Sequence, residues 1–403
     1  MKNLRSAVSQ IRSRAAFALL ATVVLAATFL SGYGTYFMQR RNQPGGFALL
    51  SQVQSIVYEN FYGEMPEDTQ FEYGMIRGML STLDDPYTTF NEPRAAELDA
   101  DRLAGNFGGI GVRIYKNAQG HFIMTPLDNH PAVRSGISAG DQLMAINGDP
   151  VSVESILDEV VAQIRGEIGT PVTLTVRSGA AAAREVTITR ARIELPSVSW
   201  RQLEQDATIG LLDIDRFSDS TADEAKEGLE VLLEAGVTCM ILDLRGNGGG
   251  LLQSSIDVAD MFLDDGVIVY EASRGETEKS FRAHSRGIAH QMPLAVLVDS
   301  GSASAAEIVA AALQAHGRAA LIGNKTFGKG SVQLIFSLAD DSSLHVTNAR
   351  WLTPDHLPLD HDGLTPDIVI DPGPQSTEKD VALSRAISYL NDLPGEVARI
   401  RSH

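Results

Sequence analysis

The segment Pro293 to Gln333, PLAVLVDSGSASAAEIVAAALQAHGRAALIGNKTFGKGSVQ, decides the reading of this chain. Its first part, Pro293 to Asp299, is a continuous apolar run with β-branched valines and reads as a buried strand. Small residues then turn the chain. From Ala305 the apolar positions Ile308, Val309, Ala312 and Leu313 recur at helical spacing, and Gly317 sits where a helix would stop. Ser302 and Ser304 therefore stand at a helix mouth, where unpaired backbone N–H groups and the helix dipole stabilise an alkoxide or a developing oxyanion. An N-cap is the plainer and commoner use of such a serine. Turn chemistry does not choose between the two serines. Further on, Lys329 lies between Gly328 and Gly330, with Gln333 four residues later.

GSASAAE followed by TFGKGSVQ resembles the C-terminal processing proteases, also called tail-specific proteases, which use a serine/lysine pair in a crotonase-like fold. In that family the nucleophile precedes the lysine by about 25 residues, the separation of Ser304 and Lys329 here. The resemblance therefore selects Ser304 over Ser302 as nucleophile, with Lys329 as base and Gln333 holding its amine. The strand-like VTCMILDLR, the loop GNGGG at residues 246–250 and the helix-like stretch Leu251 to Leu263 include a second likeness, DLRGNGGG, to the family's oxyanion loop. It implies that the N–H of Gly250 acts with that of Ala305, Gly249 being the neighbouring candidate. Ala306 stands where many members carry a second serine.

A lysine base must be neutral, so its site has to lower its pKa by burial and by excluding acids. The residues flanking Lys329 contain no carboxylate. In an extended strand, positions four apart lie ~13 Å from each other, so contact with Gln333 requires Gly328-Lys329-Gly330 to bend the chain.

Competing chemistries fit less well. GNKTFGKG, residues 323–330, meets G-x4-G-K, but Gly330 stands where a metal-binding Ser or Thr belongs, and SVQLIFSL after it reads as a strand instead of a helix. A Ser/His/Asp triad using His345 lacks a GxSxG elbow. His356, Asp360, His361 and Asp362, on a proline-broken loop, have no spacing that fixes a ligand set, so they read as solvated loop residues. No metal and no cofactor are expected.

From Phe107 the pattern changes to short β-rich runs. The loop Gly108-Gly109-Ile110-Gly111-Val112 and the turn AGDQLMAINGDPV at residues 139–151, with a helix-like stretch Val153 to Arg165 and a strand Thr170 to Arg177, resemble a PDZ domain. A glycine-rich loop ahead of an exposed strand presents backbone N–H groups to a C-terminal carboxylate, while the strand edge pairs with the peptide. Protein substrates with apolar C-terminal tails are the implied partners. Residues 47 to about 104 read as helical and as packing elements, ending near DDPYT. Thr221 with Glu224 has capping-box spacing for a helix reaching about Ala235.

The first 41 residues hold six basic residues and no acid, so the rest carries −24 of a chain whose net charge is −18. An acidic body of this kind argues against nucleic acid as a partner. From Ala15 to about Met38 the chain is apolar and uncharged, longer than a signal-peptide core of ~7 to 15 residues. We expect an uncleaved membrane anchor, a cytoplasmic N-terminus and an extracytoplasmic catalytic body. The single Cys239 forms no intramolecular disulfide and reads as a buried thiol.

The expectation is a multidomain α/β and α+β chain. Residues 1–41 form a tail and membrane helix, 42–104 a helical region, 105–194 a PDZ-like β-rich domain, 195–375 a crotonase-like α/β protease domain and 376–403 a helical segment. The expected function is a membrane-anchored serine endopeptidase cleaving near substrate C-termini. The alternative is a catalytically silent PDZ scaffold that binds tails, against which stands the occupation of every matched catalytic position.

Overall fold

A computed structural model describes residues 47–284, 286–360, 362–370 and 380–393. The expected membrane anchor lies outside these residues; among the described residues no helix is long and apolar enough to cross a membrane. Among the described residues, 47–75 form one unit and those from Ile76 another. In the first, the helix Ala48–Asn60 buries none of its residues, so the apolar stripe of Leu49, Val53 and Ile56 is exposed. The Tyr58 hydroxyl donates to Asp68 at 2.6 Å.

The second unit holds the two domains that the sequence pattern separates. A five-stranded antiparallel sheet runs in the order Val112–Lys116, Phe122–Pro126, Asp141–Ile146, Pro171–Arg177 and Arg184–Thr189, with Asp149–Pro150 as a short sixth strand. Alternating residues such as Val172, Leu174 and Val176 turn inward, onto Val160 and Ile164 of the helix Leu157–Ile164. That helix is shorter than expected because residues 151–156 form a turn. Val112–Lys116 is the end strand of the sheet, with one edge unpaired. Asn106–Gly109 pairs with Ala191–Glu194, so this domain enters and leaves through one ribbon.

The C-terminal domain is built on a six-stranded sheet ordered Val198–Leu203, Asp206–Ile214, Cys239–Asp243, Leu294–Val298, Ala320–Gly323 and Ile368–Val369, parallel after the first pair. Leu294–Val298 and Cys239–Asp243 are buried throughout, as continuous apolar runs covered on both faces must be. One face packs against the helices Thr221–Glu234, Leu252–Asp260 and Ala305–Ala315. The other lies under the helix Val381–Asp392 through Ala386 and Leu390, and Cys239 is buried there. Arg245 joins that helix to the sheet, pairing with Asp243 at 2.6 Å and with the capping Asp380 at 2.9 Å. A second sheet carries Thr89–Asn91, Ser343–Leu352, Val267–Ser273 and Lys279–Arg282, with Ser331–Ser337 paired to Ser343–Leu352.

Three local expectations are corrected. Glu224 does not close a capping box with Thr221; its carboxylate accepts the N–H groups of Ser197 (2.7 Å) and Val198 (3.0 Å), pinning the strand that leaves the PDZ-like domain. Asp360 is not a solvated loop residue. It accepts from Gly330 N–H at 2.9 Å and from Arg350 at 3.2 Å, while His356 stacks on Tyr270 at 4.0 Å and reaches Glu278 at 3.1 Å. His361 lies outside the described residues. Finally, residues 87–104 are more than packing: they include the unforeseen strand Thr89–Asn91 and line the cavity described next.

Candidate active site

Ser304 ends the turn after Leu294–Val298 and caps the helix Ala305–Ala315 with φ 55° and ψ −115°, a strained conformation for a residue with a side chain. Its N–H donates to Glu307 at 2.9 Å, the backbone half of a capping box. Ser302, the other serine of the turn, is buried. Its hydroxyl donates to Leu244 O at 2.7 Å and accepts from Asp299 N–H at 3.0 Å, so it locks the turn to the neighbouring strand.

Lys329 precedes the strand Ser331–Ser337. Gly328 has φ 87°, the N–H of Gly330 is held by Asp360, and the pairing with Ser343–Leu352 shifts register between Val332 and Gln333. The chain therefore bends as expected, and Lys329 Nζ donates to Gln333 Oε1 at 3.1 Å. Gln333 is steadied in turn by its Nε2 donating to Ser331 at 3.3 Å. Burial pushes the Lys329 amine below the ordinary lysine value. Tyr87, from the DDPYT segment, lies with its ring 5.1 Å from Nζ.

Ser304, Lys329 and Gln333 line one cavity of about 460 Å³ together with Ala305 and Gly250. Among the described residues neither Ala305 nor Gly250 gives its N–H to an acceptor. Gly249 differs, because its N–H is spent on Asn247 Oδ1 at 2.9 Å. It has another reason to be glycine: a Cβ there would stand 2.8 Å from Ser304 Cβ. A Cβ on Gly250 would stand 1.9 Å from Phe217 O, whose strand-like contact fixes the loop. With a carbonyl over Ser304, this arrangement provides a hydroxyl, an amine whose pKa burial lowers, and two free donors for a negative oxygen.

Sequence reasoning missed several residues here. Glu307 is completely buried and accepts four hydrogen bonds, from Ser304 N–H and Lys329 N–H (2.9 Å each), Gly328 N–H (2.7 Å) and the Thr326 hydroxyl (2.5 Å). So an acid does stand near Lys329, with its oxygens engaged by these donors. The spacing Ser304-x-x-Glu307 was the available signal. Asp99, Arg102 and Leu103 also line the cavity, and no short motif marks them; His345, weighed above only as a triad partner, lines it as well. His345 bonds to Asn91 at 3.3 Å, and burial pushes its imidazole below the ordinary value. Among the described residues no hydrogen bond couples it to Ser304.

The PDZ-like loop lies elsewhere. Gly109, Ile110, Gly111 and Val112 line a separate groove of about 100 Å³ with Val161 and Ile164, and the N–H groups of Ile110 and Gly111 have no acceptor among the described residues. Gly108 does not line this groove; a Cβ there would meet Gly166 O at 1.9 Å, so it serves a close backbone crossing.

Residues 208–370 match peptidase family S41, and residues 100–177 match the PDZ domain. A carboxyl-terminal-processing protease of Synechocystis sp. is 39% identical over 305 residues, covering 74% of this chain and 71% of that protein. A carboxy-terminal-processing protease of Bartonella bacilliformis is 36% identical over 316 residues, covering 77% and 72%. A solved structure of a photosystem II D1 C-terminal processing protease is 30% identical, with a TM-score of 0.46, and covers 81% of this chain and 87% of that one.

Proposed function

Since this chain belongs to peptidase family S41, among its carboxyl-terminal-processing proteases with a PDZ domain, and is a serine-type peptidase, we propose that it cleaves protein substrates near their C-termini by a Ser304/Lys329 mechanism. The observation that carries the mechanism is the single cavity in which Ser304 and the half-buried Lys329 meet two unengaged N–H donors.

In this mechanism neutral Lys329 takes the Ser304 proton as Oγ attacks the peptide carbonyl, and Gln333 Oε1 holds the amine in line. The tetrahedral oxygen is stabilised by the N–H groups of Gly250 and Ala305. Lys329 then passes the proton to the leaving amine, and water releases the acyl group by the same route in reverse. The PDZ groove takes an apolar tail, its terminal carboxylate at the Ile110 and Gly111 N–H groups and its backbone along the free edge of Val112–Lys116. The apolar stretch from Ala15 to Met38, with basic residues before it, supports anchoring in a membrane with the catalytic body outside the cytoplasm.

The test is degradation of an unstructured protein with an apolar C-terminus by the wild-type chain and by Ser304→Ala and Lys329→Ala. Both variants should be inactive while folding as the wild type does. Turnover by either one at the wild-type rate would refute the mechanism.

A further inference from the structure

The helix Pro93–Ala104 walls the cavity of Ser304 with Asp99, Arg102 and Leu103. Asp99 accepts from Asn91 at 2.9 Å, and Asn91 contacts His345, which pairs in the sheet with Ile335, two residues from Gln333. One turn later the helix meets the other side. There Leu103 O accepts from Asp219 N–H at 2.8 Å, and Gly105 packs on Ser218 and Ser220. Just before these residues stand Arg216 and Phe217. Phe217 is bonded twice to the glycine loop, its N–H to Gly249 O at 2.9 Å and its O from Leu251 N–H at 2.8 Å. Arg216 is thereby fixed close to Gly250.

The Arg216 guanidinium donates to Leu195 O (2.6 Å) and Pro196 O (3.0 Å) and pairs with the exposed Asp215 at 3.1 Å; its Nε is buried without a partner. Arg102, which lines the same cavity, makes no side-chain hydrogen bond or ion pair among the described residues. Asp99 is the cavity's acid, and it is engaged one turn away with Asn91. The cavity lining therefore sets Arg102, Arg216 and Lys329 against the one acid Asp99, in a chain whose net charge is −18.

We propose that Arg102 and Arg216 form a subsite for a substrate carboxylate close to the scissile bond. The proposal deepens the Ser304/Lys329 reading and rests on it for the place of that bond. A guanidinium offers paired N–H donors that match a carboxylate, and Arg102 has its donors unspent. The carboxylate comes from an acidic side chain or from the chain end of a short substrate. Because Arg102 is exposed, one charge pair changes the rate by about five-fold.

The experiment measures kcat/KM on amidated peptides of one sequence, with Glu, Gln or Lys placed in turn at three positions on each side of the cleaved bond. The enzymes are the wild-type chain, Arg102→Gln and Arg102→Glu. At one position Glu should exceed Gln about five-fold at low salt, with the ratio falling as salt rises. Arg102→Gln should narrow the ratio, and Arg102→Glu should favour Lys. A second arm compares free with amidated C-termini on the Gln peptides. A preference for the free end that Arg102→Glu removes assigns the subsite to chain ends, and a preference for Glu assigns it to side chains. Equal rates in both arms, or preferences unchanged in Arg102→Glu, overturn the proposal. The Gln peptide separates the two readings: if Ser304→Ala cleaves it as fast as the wild type, the catalytic reading has failed instead.

Discussion

The carboxylate of Glu307 accepts the backbone N–H of Lys329 at 2.9 Å through the same oxygen that takes the N–H of Ser304 at 2.9 Å. One buried atom thus fixes the relative positions of two residues 25 apart in sequence. Its other oxygen holds Gly328 and Thr326, so the turn that delivers the lysine is tied to the helix that presents the serine.

Glu307→Gln keeps the volume but leaves one acceptor oxygen for four donors. Hydrogen bonds to a buried charge contribute ~1.5 to 3 kcal/mol each, so the variant should unfold at lower denaturant. On a short peptide its kcat should fall about a hundred-fold, as for a misplaced reacting group, with little change in KM. A folded variant with wild-type kcat would show that Glu307 does not position the pair.

Activity should rise with pH along an acidic limb set by Lys329. Below its pKa the ammonium has no lone pair to accept the Ser304 proton; above it the amine is free. Burial places that pKa below the ~10.4 of an ordinary lysine. Lys329→Arg should be inactive throughout, because a guanidinium stays charged. His345→Ala should keep the limb; its disappearance in that variant would assign it to the imidazole.

Ser302→Ala and Ser304→Ala should separate structure from chemistry. Ser302 has two partners in the core of the turn, so its loss should cost ~1 to 3 kcal/mol of stability while most activity remains. Ser304→Ala should abolish turnover with little loss of stability. Denaturant melts beside peptide assays check both, and the opposite pattern would move the nucleophile to Ser302.

Tail recognition should depend on the PDZ loop. Gly111 has φ 72°, and a Cβ there would stand 2.2 Å from His130, so Gly111→Val should distort the loop and weaken binding of an apolar tail. Amidating the tail should weaken binding by the wild-type chain about ten-fold, since charge-assisted bonds to two N–H groups are lost. Fluorescence anisotropy with free and amidated tails provides the measurement, and equal affinities would end the carboxylate assignment.

The sequence by itself determined the elements and singled out the candidate reacting groups. Pro293 to Gln333 specifies a buried strand, a small-residue turn and a helix because apolar runs and helical spacing are local signals. The family likeness chose Ser304 over Ser302 by one spacing, and the alternating strands with the glycine loop pointed to the PDZ domain. Only the tertiary structure decided the surroundings. Asp99 and Arg102 on one helix and His345 on a distant strand line the cavity of Ser304, Tyr87 comes to lie beside Lys329, and contacts between segments so far apart in sequence leave no local pattern. The choice of Gly250 over Gly249 depended on which N–H the Asn247 side chain takes. Glu224 and Asp360 also found partners through the fold, where a burial-driven hydrogen bond displaced the local partner or the solvent that short-range reading had assigned.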